Sequence, residues 1–288
     1  MVHRNKKFDA EPVLLVDPKW NDLKAKLLTE KHNHEVKSSC YRDTTIEALH
    51  TIYAGKCAIC ERKRGLELQV DHYRPKKTRN NKSEREYNQP GYYWLAYSWS
   101  NLIPLCSKCN NAKRNKFPLK GWTEISRVDS HTNTKGLDPF EPYNLIWLQQ
   151  QEQPLLINPE VETEPERHFK FLKNGSIVGR TEEGKETIKI CNLNRTDLRR
   201  ERIEIREKYA SKINAAIDDY ISNRNQAELK GALKSIFKEI RENTHKNKAH
   251  SLYHIYIYHY FDLFIAPYLP NSLRARISHY FQEFKGPQ

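Results

Sequence analysis

Two pairs of cysteines have the spacing of a metal site. Cys57 and Cys60 form one C-x2-C pair, and Cys106 and Cys109 form a second. Each pair can direct two thiolates at one ion, and four thiolates suit a tetrahedral Zn2+ at about 2.3 Å. A closed site of this kind has no open coordination position, so we expect a structural Zn2+. Free thiols or a redox pair are the alternative.

A second set of polar residues lies between and just after these cysteine pairs. Asp71 and His72 follow alternating apolar residues, which indicates the end of a strand. Asn101 introduces the next apolar run, and Asn110 lies where a helix should begin after the second cysteine pair. The predicted order is therefore strand, loop, strand, helix. Taken alone, an Asp-His pair is more often a polar strand end than a catalytic pair.

The order of these residues resembles that of the HNH endonucleases, whose ββα-metal fold is often braced by such a zinc site. The resemblance covers residues 57–118 and includes the four cysteines, the Asp-His pair, both asparagines and Lys113. A longer part of the chain resembles the HNH components of Septu anti-phage systems (PtuB-like), which are also found with retrons. The residues that carry this longer resemblance are Trp94, Tyr97, Trp99, residues 155–159, His168, Phe169, Gly175, Gly179, Thr181, Gly184, Leu193 and Arg195.

The HNH resemblance implies a role for each polar residue, with His72, Asn101 and Asn110 as the catalytic set. His72 would be the general base and Asn101 would orient it. Asp71 and Asn110 would hold a catalytic Mg2+ or Mn2+. Many HNH proteins have histidine where Asn110 stands, and an amide oxygen favours Mg2+ or Mn2+ over Zn2+ or Ni2+. The candidate phosphate contacts are Arg74, Lys76 and Lys113.

Positive charge is concentrated around the same motifs. The 288 residues include 49 Lys and Arg against 36 Asp and Glu, a net charge of +13. Residues 41–125 alone have 16 basic and 8 acidic residues. Two runs contain no acidic residue: Arg74, Lys76, Lys77, Arg79 and Lys82, then Lys108, Lys113, Arg114, Lys116 and Lys120. A nucleic acid is the expected partner, with DNA favoured over RNA, although phosphate contacts carry no base identity. A solvated basic surface without a ligand is the alternative.

The elements that must position these residues belong to an α+β protein in four segments. We expect residues 1–40 to be an N-terminal extension, 126–195 a small β-hairpin connector and 196–288 a helical C-terminal region. The HNH resemblance implies a zinc-braced ββα-metal (HNH) nuclease module over 41–125. The module should open with a helix over 44–54, with Asp43 as its N-cap and Gly55 as its end. Asn174 and Gly175 indicate the hairpin turn.

Two further features of the chain carry predictions. A helix over 249–266 is apolar nearly all round, so this chain or a partner should cover it, and it is a candidate docking surface. Cys40 and Cys191 have no C-x2-C partner and should be buried thiols.

The sequence also gives expectations about the localisation of the protein and its partners. We expect a cytoplasmic protein without membrane contact, because no apolar run suits a bilayer span and no leader opens the chain. No G-x4-G-K-[ST] motif is present, so the chain is not its own P-loop ATPase. The Septu resemblance implies an ABC-type ATPase subunit (PtuA-like) as partner. Its link to retrons implies a reverse transcriptase with its RNA–DNA product as another.

The HNH and Septu resemblances imply a metal-dependent endonuclease that hydrolyses phosphodiester bonds as the effector of an anti-phage complex. The alternative is a non-catalytic zinc-ribbon module that binds nucleic acid and in which the Asp-His pair is incidental. Metal-dependent cleavage distinguishes the two.

Overall fold

The computed structural model describes residues 1–77, 91–120, 148–150 and 152–286, and it mixes helices with small sheets. The chain divides into two compact units, Met1–Phe169 with Gly179–Leu193, and Lys170–Val178 with Asn194–Gln288. The boundary expected at residues 125 and 126 lies outside the described residues, so the division into four segments stays a prediction. No helix in the described ranges is both long enough and apolar enough to cross a bilayer.

The first unit contains a β-hairpin followed directly by a helix. Strand β1 (Gln69–His72) pairs antiparallel with strand β2 (Leu102–Leu105), so that His72 lies opposite Leu102. All four residues of β2 are buried, because Leu, Ile and Pro side chains face the interior on both sides of this strand. A short helix (Ser107–Lys113) begins two residues after β2. The two strands and the helix occur in the predicted order.

Two helices precede the hairpin. They are α1 (Asn21–Glu30) and α2 (Ser38–Tyr53), and the helix after the hairpin is α3 (Ser107–Lys113). The prediction that α2 begins after an Asp43 N-cap is wrong, because the helix starts at Ser38, six residues before the predicted start, and Asp43 lies inside it. The predicted end is close, since Ala54 is left-handed and Gly55 has φ of +68°.

A second hairpin and an additional helix lie further along the chain. Strands β3 (Phe169–Phe171) and β4 (Ile177–Gly179) form a two-stranded sheet, as the Asn-Gly turn predicted, and Gly175 has φ of +74°. Helix α4 (Glu182–Ile190) was not predicted. The Thr181 side chain accepts a hydrogen bond from the Gly184 amide, which is the N-cap that stabilises this helix.

The second unit is helical. Its helices are α5 (Thr196–Asn223), α6 (Gln226–Asn243), α7 (Ser251–His259), α8 (Phe261–Phe264) and α9 (Asn271–Lys285). The single helix predicted over 249–266 is instead two helices that meet at Tyr260. Most of its apolar side chains, including Leu252, Ile257 and Phe261, are buried. The second unit therefore buries most of the apolar side chains of this segment. Few of them are exposed for the docking surface that the sequence predicted here.

Candidate active site and metal centre

The four predicted cysteines come together in the first unit. Their Sγ atoms all lie within 4.8 Å of one another, and all four residues are buried. The Sγ atoms of Cys60 and Cys106 are 3.7 Å apart. Tetrahedral coordination at about 2.3 Å requires sulfur atoms about 3.8 Å apart, so the geometry fits one Zn2+. Among the described residues this is the one group of three or more His, Cys, Asp and Glu side chains placed to hold a metal.

Local backbone geometry explains how the two cysteine pairs meet. The Cys57 amide donates to the Arg62 carbonyl, and Glu61 has φ of +62°, so the chain turns tightly around the first pair. The Ala58 amide donates to the Pro104 carbonyl and fixes this turn against β2. Because the second pair follows β2 directly, the strand carries it to the same place. Hydrogen bonds led by that of the Cys109 thiol hold the pKa of Cys106 below its usual value.

His72 lies at the end of β1, and its imidazole is held in one orientation. Its side chain Nε2 is 2.8 Å from the Ala96 carbonyl oxygen, and the residue is 5% exposed. Burial holds the pKa of His72 well below its usual value, and the Lys76 ammonium lowers it further. A neutral imidazole bonded to a carbonyl must carry its hydrogen on Nε2, which leaves the Nδ1 lone pair as a base. No hydrogen bond within the described ranges occupies Nδ1.

Asn101 joins the loop after β1 to the turn before β2. Its side chain accepts a hydrogen bond from the Arg74 amide at 2.8 Å and donates to the Arg74 carbonyl at 3.0 Å. It also donates to the Leu95 carbonyl at 3.3 Å. Asn101 is buried, so its contacts fix the backbone that follows His72 and do not reach solvent.

Asp71 and Lys113 form an ion pair that links β1 to α3. The Lys113 Nζ is 2.8 Å from Asp71 Oδ2 and 2.6 Å from the His72 carbonyl oxygen. The Lys113 side chain is 1% exposed, whereas that of Asp71 is 17% exposed. Lys113 therefore stabilises the hairpin from inside, and the phosphate contact expected of it does not agree with its burial.

Arg74 is also inside the unit. Its Nε is 2.9 Å from Glu152 Oε2 with both side chains fully buried, and its guanidinium lies 5.3 Å from the Phe117 ring centroid. A guanidinium in this position cannot meet a phosphate at the surface. The expected phosphate contact through Arg74 therefore does not agree with the structure, because a carboxylate 78 residues away in sequence neutralises this charge.

Asn110 lies on the face of the hairpin that also presents Asp71. Its Nδ2 donates to Gln69 Oε1 at 2.8 Å, and side chains two residues apart on a strand share a face. No hydrogen bond joins Asn110 to Asp71 in the described part of the chain. These two residues offer only oxygen ligands, which suit Mg2+ or Mn2+ better than Zn2+.

The structure also brings Tyr41 against His72 and Lys76 against Tyr41. Lys76 is partly exposed, and its Nζ donates to the Tyr41 hydroxyl at 2.9 Å. The Tyr41 ring centroid is 4.7 Å from that of His72. Burial lowers the pKa of Lys76 to about 8. The sequence did not indicate Tyr41, because it lies on α2, outside the motif, and one tyrosine on a helix face carries no functional signal.

The comparisons with known proteins find relatives that are named Septu proteins. The chain is 30% identical over 187 residues to Septu protein PtuB of Bacillus mycoides (strain KBAB4), a match covering 63% of this chain and 57% of that protein. It is 28% identical over 153 residues to Septu protein PtuB of Bacillus thuringiensis, covering 52% and 41%. It is also 31% identical over 163 residues to Septu protein PtuA of Bacillus mycoides (strain KBAB4), covering 56% of this chain and 20% of that protein.

These matches confirm a relationship to Septu proteins, although the chain spans about half the length of the PtuB relatives. No family model matches the chain, and no solved structure matches it. Membership of the HNH family therefore stays a prediction.

Proposed function

We propose that this chain is a metal-dependent endonuclease of the HNH type and the nuclease component of a Septu-type anti-phage system. The observation that carries the proposal is His72. A buried, neutral imidazole at the end of β1 is fixed through Nε2 to the Ala96 carbonyl, so its Nδ1 is ready to accept a proton. The four-cysteine cluster supports the hairpin and helix around it.

The proposed reaction is hydrolysis of a phosphodiester bond. His72 Nδ1 takes a proton from a water molecule, whose oxygen forms the new bond to phosphorus. The bond between phosphorus and the 3′ oxygen breaks, and the departing oxygen takes a proton from solvent. A divalent ion such as Mg2+ or Mn2+, held by Asp71 and Asn110, would neutralise charge on the phosphate and the leaving oxygen. Asp71 can offer the carboxylate oxygen that is not bonded to Lys113.

Nucleic acid is the proposed substrate because exposed basic residues surround α3. Lys108, Arg114, Lys116 and Lys120 are exposed, whereas the Asp71 side chain next to His72 in sequence is 17% exposed and paired with Lys113. Such a surface attracts the phosphate backbone without reading base identity. We propose DNA as the substrate, and RNA is the alternative.

The proposed partner is a PtuA-like protein of the ABC-type ATPase class. A region similar to this chain makes up 20% of the relative named PtuA, so that single chain contains a segment like this one. The presence of a segment similar to this chain in a protein named PtuA supports the proposal that this chain acts in one assembly with a PtuA-like protein. A retron reverse transcriptase with its RNA–DNA product is a further proposed partner, which rests on resemblance alone.

The proposal is tested by incubating the purified chain with labelled DNA and RNA, alone and with its PtuA-like partner. Each reaction is run with Mg2+, with Mn2+ and with excess EDTA. Cleavage that needs a divalent ion supports the proposal. Tight binding without cleavage under every condition would contradict it and would favour the non-catalytic zinc-ribbon module.

A further inference from the structure

Tyr41 reaches the site from a helix that is not part of the hairpin. It lies on α2, is 8% exposed, and its ring meets the His72 imidazole edge to face, with centroids 4.7 Å apart and planes at 63°. A phenylalanine at this position could make the same ring contact with His72, so the contact does not explain the hydroxyl. Burying a hydroxyl costs free energy unless it makes hydrogen bonds, so the hydroxyl group needs an explanation.

The Tyr41 hydroxyl already accepts one hydrogen bond but still has its own hydrogen to donate. The Lys76 Nζ donates to the hydroxyl oxygen at 2.9 Å and lies 4.3 Å from the ring centroid. A phenol has one donor hydrogen, and no group in the described ranges accepts it from Tyr41. A hydrogen bond received from a cation polarises the O–H bond and makes the hydroxyl a stronger donor.

Two contacts place this hydroxyl beside the proposed base. The Tyr41 ring packs on the His72 imidazole, and the Lys76 Nζ bonds the hydroxyl oxygen. The hydroxyl, the ammonium and the imidazole therefore lie together at the end of β1. Of the three predicted phosphate contacts, Arg74 and Lys113 are buried in ion pairs with carboxylates. Lys76 instead bonds the Tyr41 hydroxyl and has no ion pair with a carboxylate among the described residues.

We propose that the Tyr41 hydroxyl donates a hydrogen bond to a non-bridging oxygen of the scissile phosphate, with Lys76 orienting that hydroxyl. This inference rests on the proposed function. As the water oxygen bonds to phosphorus and the bond to the 3′ oxygen breaks, negative charge grows on the non-bridging oxygens. Tyr41 stabilises that charge and keeps its proton, while His72 takes the proton of the water.

The direct test is Tyr41→Phe, which keeps the ring against His72 and removes only the hydroxyl. We expect kcat to fall by about 10- to 100-fold, because loss of one donor to a developing oxyanion typically has an effect of this order or larger. The KM, the affinity for uncleaved nucleic acid and the melting temperature should stay close to wild type. The matched control is Tyr53→Phe on the same helix, whose buried hydroxyl bonds Glu160 at 2.7 Å; it should lower stability and leave kcat unchanged.

Two further readouts separate a contact with phosphate from a structural role. Lys76→Met should lower kcat by a similar factor, and the double variant should lose less than the product of the two losses, because both act through one hydroxyl. Sulfur accepts hydrogen bonds poorly, so replacing one non-bridging oxygen by sulfur should slow wild-type cleavage of one diastereomer. Tyr41→Phe should show a smaller difference between the diastereomers.

The outcomes distinguish the inference from the function on which it rests. If the wild type cleaves, His72→Ala does not, and Tyr41→Phe cleaves as fast as wild type, the inference about Tyr41 is wrong and the nuclease proposal stands. If the wild type cleaves neither DNA nor RNA with its partner present, both are wrong.

Discussion

Basic residues near the site divide into interior and surface charges. Arg74 and Lys113 belong to runs without acidic residues, yet each is neutralised by a carboxylate, 78 and 42 residues away respectively. Lys116 and Lys120, in the same run as Lys113, are exposed. The sequence could predict that these runs are basic, but only the fold decides which side chain meets a distant carboxylate.

Lys113 gives a prediction about stability. We expect Lys113→Met to lower the free energy of unfolding by about 3 kcal/mol, because it removes one partner of a largely buried ion pair and a donor to the His72 carbonyl. Urea unfolding of the full chain measures the change. The control is Lys116→Met, an exposed lysine in the same run, which should change stability by less than about 0.5 kcal/mol. A Lys113→Met protein as stable as wild type but weaker in binding DNA would restore the phosphate role for Lys113.

The β3–β4 hairpin and the cysteine pairs were predictable because their sequence signals are local. C-x2-C spacing and an Asn-Gly turn need only a few neighbouring residues. Helix α4 was missed, although Thr181 followed by Glu182 and Glu183 is a helix start signal. The contact of Tyr41 with His72 could not be predicted, since it depends on how α2 packs on strands β1 and β2.

The metal centre gives a prediction about one element. We expect one Zn2+ per chain, and Cys57→Ser should lose that ion and lower the melting temperature, because metal binding and folding are coupled. Elemental analysis and thermal unfolding measure both effects. The control is Cys40→Ser, a buried thiol outside the cluster, which should keep its Zn2+. Wild-type protein that contains no zinc would contradict a structural zinc site.

Charge over the whole molecule gives a prediction about binding. Affinity for duplex DNA should fall steeply with salt, with a log-log slope of about −0.9 for each phosphate neutralised. Reversing the exposed Lys116 and Lys120 to glutamate should make that slope shallower. The same charge change at Lys230 and Lys234, exposed residues of the second unit, should leave the slope unchanged. Equal effects from both pairs would show that the surface around α3 is not the contact.

The central claim is that His72 is the base of a nuclease, and cleavage by His72→Ala tests it most directly. The assay compares this variant with wild type on the same labelled DNA, with a divalent ion and the PtuA-like partner present. We expect cleavage to fall by about 10²- to 10⁴-fold, while zinc content and DNA affinity stay near wild type, because the transition state loses a proton acceptor and the ground-state complex does not. Cleavage by His72→Ala at the wild-type rate would contradict the account.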